Sequence, residues 1–239
     1  MIDLTKGIID FKDNLEAANP AELNQEQQIN MYEQLLAKSF IMRAMVRDIT
    51  VSDNAQQKVF PYIKHTLEWL RTTDFYTSPA STKYHEAYHG GLLFHTLQVY
   101  YQLLGLRSVP KFQSVVNGNW WSAVFAALVH DWCKIGRYDS YYKNVKNPET
   151  GEWEQVAAYK IREDDTTRFG HGTQSLIMAM QICNSPLVSL TFEEMAAIRW
   201  HMDGWDIGQY DEGDLAKCNE KIPMVRMIQF ADQLAITTY

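Results

Sequence analysis

The chain contains seven histidines, and several stand where a folded helix would place an aliphatic residue. The sharpest case is His130-Asp131, which ends the apolar run AVFAALV. An ionised carboxylate buried without a partner costs several kcal/mol, and a metal ion is one of the few partners that offset it. Lys134 follows three residues after Asp131 and four after His130, on the same helical face, where its ammonium can meet an anion bound at a metal. Near the C-terminus Val225, Ile228, Asp232 and Ala235 form a helical stripe, so a second carboxylate falls at a core position. Ala197 and Ile198 put His201 on their own side of a helix by spacings of four and three. His171 is bracketed by Gly170 and Gly172, which let the backbone come close to a neighbour. His95 has Leu92 three residues before it and Val99 four after. Taken singly, each reads as a hydrogen-bonded core residue. As a set they demand many separate hydrogen-bond solutions, whereas one shared metal centre satisfies them together.

The elements that must position these groups are mostly helical, since glycine (12) and proline (7) are sparse and no repeat is visible. The pattern predicts a helix over Asn24 to Arg47. A second carries Val59, Ile63, Leu67 and Leu70, with Asp53 as its N-cap. Thr72 to His89 reads as a loop, after which Gly90-Gly91 open a helix over Leu92 to Leu106. Trp120 to Lys134 is apolar around most of its circumference, the mark of a central buried helix. Beyond Gly136, two aromatic and β-branched stretches flank Asn147-Pro148-Glu149-Thr150-Gly151, which predicts a β-hairpin at about 137–169. Helices resume over Thr173 to Cys183, Phe192 to Met202 and Ile222 to Thr237. The expected architecture is an all-α helical bundle with a small β-hairpin insertion. It forms a single domain, with residues 1–75 as a helical N-terminal extension of a core over 83–238.

Composition bounds the alternatives. At 239 residues with 46% apolar and 13% aromatic side chains, the chain can bury a core and is not a disordered polymer. The longest strictly apolar run, Ala123 to Val129, is far short of the roughly 20 residues of a membrane span, and MIDLTKGIID lacks the basic and then apolar start of a signal peptide. A cytoplasmic protein is expected. Cys133, Cys183 and Cys218 are odd in number and in no CxxC pair, which argues against a disulfide framework or a cysteine zinc site. A net charge of −7 disfavours nonspecific duplex DNA binding, which needs a basic face. A homo-oligomer is compatible with all of this.

The ordered positions His95, His130-Asp131, His171, His201 and Asp232, in the strings HEAYHGGLLFHTLQVY, LVHDWCKIGRY, FGHG, IRWHMDGWD and FADQLA, resemble the HD-domain metal-dependent phosphohydrolase superfamily, in a bacterial and phage branch. The likeness spans about Lys83 to Thr238. It implies an HD-domain helical bundle in which His95, His130, Asp131 and Asp232 hold a first divalent ion, with Asp131 bridging to a second held by His171 and His201. Histidine and carboxylate ligands suit Mn, Fe, Co, Ni or Zn, with Mg also compatible. The implied reaction is hydrolysis of a phosphoester in a nucleotide or short phosphodiester by metal-activated water, with Asp131 and Lys134 as the catalytic residues. His85 and His89 are candidate substrate contacts or proton donors, and Arg137 and Arg168 candidate phosphoryl contacts if the hairpin folds over the site. Asp203 is a candidate to orient a ligand imidazole. Trp132, Tyr138, Tyr141, Tyr142, Trp200 and Trp205 offer either base stacking or packing. Two alternatives stand beside this reading. One is a 3′ to 5′ exonuclease on single-stranded RNA or DNA, suggested by the Gly-Gly-Leu-Leu-x-His string, although the N-terminus does not look like that family's oligonucleotide-binding barrel. The other is a non-catalytic nucleotide-binding module.

Overall fold

The computed structural model describes residues 1–11, 15–47, 54–165 and 169–236. It is mainly helical, with one two-stranded antiparallel sheet. In chain order the elements are α1 (Gln25–Arg47), α2 (Ala55–Thr72), α3 (Gly91–Leu106), α4 (Gln113–Gly118), α5 (Trp120–Val129), β1 (Tyr138–Lys146), β2 (Trp153–Ile161), α6 (His171–Ile182), α7 (Phe192–Arg199), α8 (Glu212–Lys221) and α9 (Pro223–Ile236). Short 3-10 turns join several of them. Among the described residues no helix is long and apolar enough to cross a membrane.

Helix α5 is the axle. Every residue from Ala123 to Val129 is buried, and α1, α3, α7 and α9 all pack against it. A helix apolar on all sides is stable in water only when other helices enclose it, each buried Val, Leu or Phe contributing about 1.5–3 kcal/mol. Helix α1 closes one side. Its Tyr32 hydroxyl donates to the Leu128 carbonyl at 3.0 Å and accepts from Trp132 Nε1 at 3.0 Å, so α1 is bonded directly to the segment that carries His130 and Asp131. Residues of α1 and α2 belong to the same hydrophobic cluster as α5 and α9. Helices α1 and α2 thus form a wall of the shared core.

The central helix is shorter than its pattern predicts. It ends at Val129, and a separate 3-10 turn runs over Trp132–Lys134. The physical cause is at the junction: His130 Nδ1 bonds the Ala127 carbonyl at 2.7 Å, and Asp131 leaves helical geometry at φ −106°, ψ 17°. Apolar periodicity could not register this, because Trp132 and Cys133 are buried in either conformation. The helix expected to reach Met202 ends at Arg199, α6 starts two residues early at His171, and the polar helix α8 and the six-residue α4 were not anticipated. Asp53 and Thr237 lie outside the described residues.

The hairpin matches its prediction, with Tyr138 paired to Ile161 and Lys146 to Trp153. Asn147 Oδ1 accepts from the amides of Glu149 and Thr150, which fixes the turn. Both strands are largely exposed, Ala158 being the one buried position.

A buried ion pair joins α1 to α7. Arg43 donates from Nε and Nη2 to the two carboxylate oxygens of Glu194 at 2.6 and 2.7 Å, and Arg47 adds a third contact at 3.1 Å. Burial alone would raise the Glu194 carboxyl, but the Arg43 charge and its hydrogen bonds hold it below its ordinary value of 4.5. A depressed carboxyl stabilises the fold above the unfolded pKa and loses that contribution as the pH falls through the folded one. Glu194→Gln should therefore destabilise the protein at pH 7 by about 3–5 kcal/mol. The gap to the parent should narrow below about pH 4.5, measured by denaturant unfolding at a series of pH values. A gap that stays constant with pH would contradict this account.

Candidate metal centre

Six side chains from five segments, His95, His130 with Asp131, His171, His201 and Asp232, meet at the C-terminal end of α5. Asp131 lies at their centre, 2% exposed. Its two oxygens face different imidazoles. Oδ1 lies 2.5 Å from His171 Nε2 and 3.7 Å from His201 Nε2. Oδ2 lies 3.4 Å from His130 Nε2 and 3.5 Å from His95 Nε2. Asp232 Oδ1 completes the second group, 3.1 Å from His95 Nε2 and 3.9 Å from His130 Nε2. The imidazoles form a continuous arc, with ring centroids 5.5 Å apart for His95–His130, 4.9 Å for His130–His201 and 5.3 Å for His201–His171.

Two of the imidazoles are aimed by their own backbone. His130 and His201 direct Nδ1 at the carbonyl three residues earlier, Ala127 and Ile198, at 2.7 and 2.8 Å. A carbonyl cannot donate, so Nδ1 carries the proton and Nε2 presents its lone pair inward. Both Nε2 atoms are buried with no hydrogen-bond partner. A buried polar atom in that condition costs about 1–3 kcal/mol, and a cation is the partner the geometry suits. The groups His95, His130, Asp131 and His130, His201, Asp232 each hold their ligand atoms within 4.8 Å of one another, so buried groups here could hold a metal ion. The donor set fits a divalent cation.

Two glycines permit the convergence. A Cβ at Gly172 would stand 2.0 Å from the Arg199 carbonyl oxygen, so only glycine lets the start of α6 press on the end of α7 and bring His171 beside His201. A Cβ at Gly91 would likewise meet the Glu86 carbonyl oxygen at 2.0 Å, which seats the start of α3 against the preceding loop.

Electrostatics favour ligand-competent forms. Burial opposes ionisation of Asp131, but Lys134, His130 and His171 together hold its carboxyl well below the usual range. Asp232 is also depressed: burial works against it, and His95, His130 and His201 outweigh burial. Burial lowers His171, against the opposing pull of the Asp131 carboxylate that its Nε2 contacts. Lys134 is raised despite burial because its Nζ sits 2.7 Å from Asp131 Oδ2. The Cys133 thiol, though near Asp131 and His171, is pushed up to about 12 by burial and remains protonated.

These groups open onto a cavity of about 400 Å³ whose wall includes His85, His95, Asp131, Lys134, Arg137, Tyr138, His171, His201 and Asp232. Of the expected substrate contacts, His85 and Arg137 line it. His85 stacks near His95 at 5.0 Å and is lowered to about 4, chiefly by burial and then by His95 and Lys134, so it is a neutral imidazole at pH 7. Arg137 is tied to Asp165 at 3.5 Å. His89 is not brought in: it is exposed and outside the cavity wall, because the loop turns away before α3. Arg168 lies outside the described residues. Asp203 does not reach an imidazole; its carboxylate contacts Arg226 at 3.3 Å and Asn219 at 3.5 Å. Among the aromatics, Tyr138 and Trp205 line the cavity, and Trp205 is 88% exposed at its rim. Trp132 is core, set against Trp69 at 5.1 Å, Trp200 carries Arg199 on its face, and Tyr141 and Tyr142 lie on the hairpin away from the cavity wall.

Sequence reasoning missed Glu86. It is buried, its backbone sits at φ 43°, and its Oε2 lies 3.8 Å from His95 Nδ1. Burial raises its carboxyl above the ordinary value. Neither atom has a hydrogen-bond partner, and the two lie too far apart to bond each other; nothing in the periodicity marks that loop as buried. Tyr84, on the same loop and at the mouth of the cavity, was missed for the same reason.

Comparison with family models, with curated proteins and with solved structures returns no match for this chain.

Gly172→Ala should force α6 and α7 apart and lower stability by about 1–3 kcal/mol. Gly204→Ala, where an added Cβ meets nothing within 4 Å, should be near neutral. Thermal unfolding of the two variants side by side checks both; equal melting temperatures would contradict the close approach.

Proposed function

We propose that the cluster is a two-ion centre and that the chain is an HD-type metal-dependent phosphohydrolase acting on a nucleotide or a short phosphodiester. The observation that carries this reading is the division of labour at Asp131. One carboxylate oxygen faces His95 and His130, and the other faces His171 and His201. A single cation does not need a carboxylate presented to two sets of imidazoles, whereas a pair does. Divalent ions so held would acidify water and neutralise phosphoryl oxygens during in-line attack.

The chain's own residues divide the remaining work. Lys134 fixes the Asp131 carboxylate and adds positive charge to the cavity wall, where it can meet a phosphoryl oxygen. Arg137 stands on the same wall, at the root of the hairpin. His85, uncharged at neutral pH, accepts or donates a hydrogen bond to substrate without repelling a cation. Exposed rings at the rim, Trp205 and Tyr84, give a base two surfaces to stack on, which supports a nucleotide over a small phosphate ester. Oligonucleotides and cyclic nucleotides carry the same phosphodiester, so the substrate series must include both.

The deciding experiment strips the protein with chelator and reloads it separately with Mn, Fe, Co, Ni, Zn and Mg. Each form is then offered nucleoside mono- and triphosphates, cyclic nucleotides and short RNA and DNA oligomers. Turnover should depend on the metal, and Asp131→Ala should lose at least 10³-fold in kcat, roughly 4 kcal/mol of barrier. It should also bind fewer metal equivalents by elemental analysis. Undiminished turnover by Asp131→Ala would defeat the two-ion reading, and tight nucleotide binding without turnover would favour a non-catalytic module.

A further inference from the structure

At the opposite end of α5 lies a second concavity, of about 300 Å³, that shares no residue with the metal centre. Three arginines line it, Arg43 and Arg47 from α1 and Arg107 from the end of α3, with Asn119, Trp120 and Trp121 facing them. No Asp or Glu is among its described lining residues. We propose that this concavity is an anion site for the phosphate groups of a small phosphorylated ligand. The proposal does not rest on the phosphohydrolase reading.

Unsatisfied donors carry the argument. Nε and Nη2 of Arg43 bond Glu194, and Nη2 also reaches the carbonyls of Val188 and Ser189, which leaves Nη1 buried with no partner. The Arg43 side chain is 1% exposed. Arg47 repeats the pattern: Nη2 meets Glu194 while Nη1 is buried and unpaired. Two guanidiniums thus share one carboxylate, and the third, on Arg107, lies over the Trp120 ring at 4.7 Å. Burial lowers Arg47, and the neighbouring Arg43 charge adds to the lowering against the opposing pull of Glu194.

The floor of the concavity is the N-terminus of α5, a ten-residue helix whose cap residue Asn119 makes no side-chain capping bond. Its first amides have no intrahelical acceptor and carry the positive end of the helix dipole. A phosphate placed there would receive backbone N–H groups and the unpaired Nη1 donors at once, the arrangement that recognises phosphate geometry. Asn117 adds a polar group to the wall, the Ser122 side chain being bonded to Glu194, and the two indoles give a base a surface beside the phosphate.

The test titrates the full chain with inorganic pyrophosphate and with adenosine triphosphate at fixed ionic strength. Chelator is present throughout and the Asp131→Ala background is used, so that the metal centre contributes nothing. Tryptophan fluorescence and melting temperature are the readouts. Saturable binding is expected for both probes, weakened at least tenfold by Arg47→Gln combined with Arg107→Gln, neither of which removes the Arg43–Glu194 pair. Tighter binding of the nucleotide would assign part of the recognition to the indoles, and equal binding would assign it to phosphate alone. Absence of saturable binding, or binding that the double variant leaves unchanged, would overturn the proposal.

Discussion

The carboxylate of Asp131 sets the terms for this molecule. It is held out of water at the end of a helix that is apolar on every side, where an uncompensated charge would cost more than a typical domain can spare. Beside it stand the Lys134 ammonium and four imidazoles, of which His95, His171 and His201 are supplied by distant parts of the chain. The surrounding elements must therefore bring those groups to one point, and that requirement explains features that packing alone does not: the early end of α5, the glycine against the Arg199 carbonyl, and the burial of Lys134.

Helix ends do most of the positioning. His130 and His201 lie just past the last turns of α5 and α7, and each uses Nδ1 to hold a carbonyl of that turn. This meets two needs together. A helix leaves its final carbonyls without intrahelical donors, and a metal-binding imidazole needs one nitrogen committed so that the other is free. His171 opens α6, while His95 and Asp232 project from within α3 and α9, the helix pair packed together beside the cavity. Rigid helices on every side give the cluster a definite geometry.

The polarity of α5 links the two ends of the molecule. At its C-terminus the dipole is negative and the side chains are imidazoles and carboxylates, an environment for cations. At its N-terminus the dipole is positive and arginines surround an uncapped turn, an environment for anions. At 1.5 Å per residue, ten residues separate these ends by about 15 Å. Tyr32 and the Arg43–Glu194 pair brace the same helix from α1, so residues the sequence assigned to an extension govern how both ends are presented.

Much of this was legible in the sequence because it depended on local rules. The helix boundaries near Gln25, Arg47, Gly91 and Leu106, the hairpin about its Asn147 turn, and the six candidate ligands all follow from periodicity, turn chemistry, or a polar residue in an apolar stripe. Two neighbours in one loop show where such rules stop. Glu86 is buried behind His95 and His89 is exposed, and the difference comes from a left-handed backbone at Glu86 and the seating of Gly91 upon it, which no side-chain pattern encodes. The amino-acid order alone determined which residues are out of keeping with their surroundings. The tertiary structure decided which of them meet, since distances between residues a hundred positions apart depend on how whole helices pack, a property of the assembled core and of no single segment.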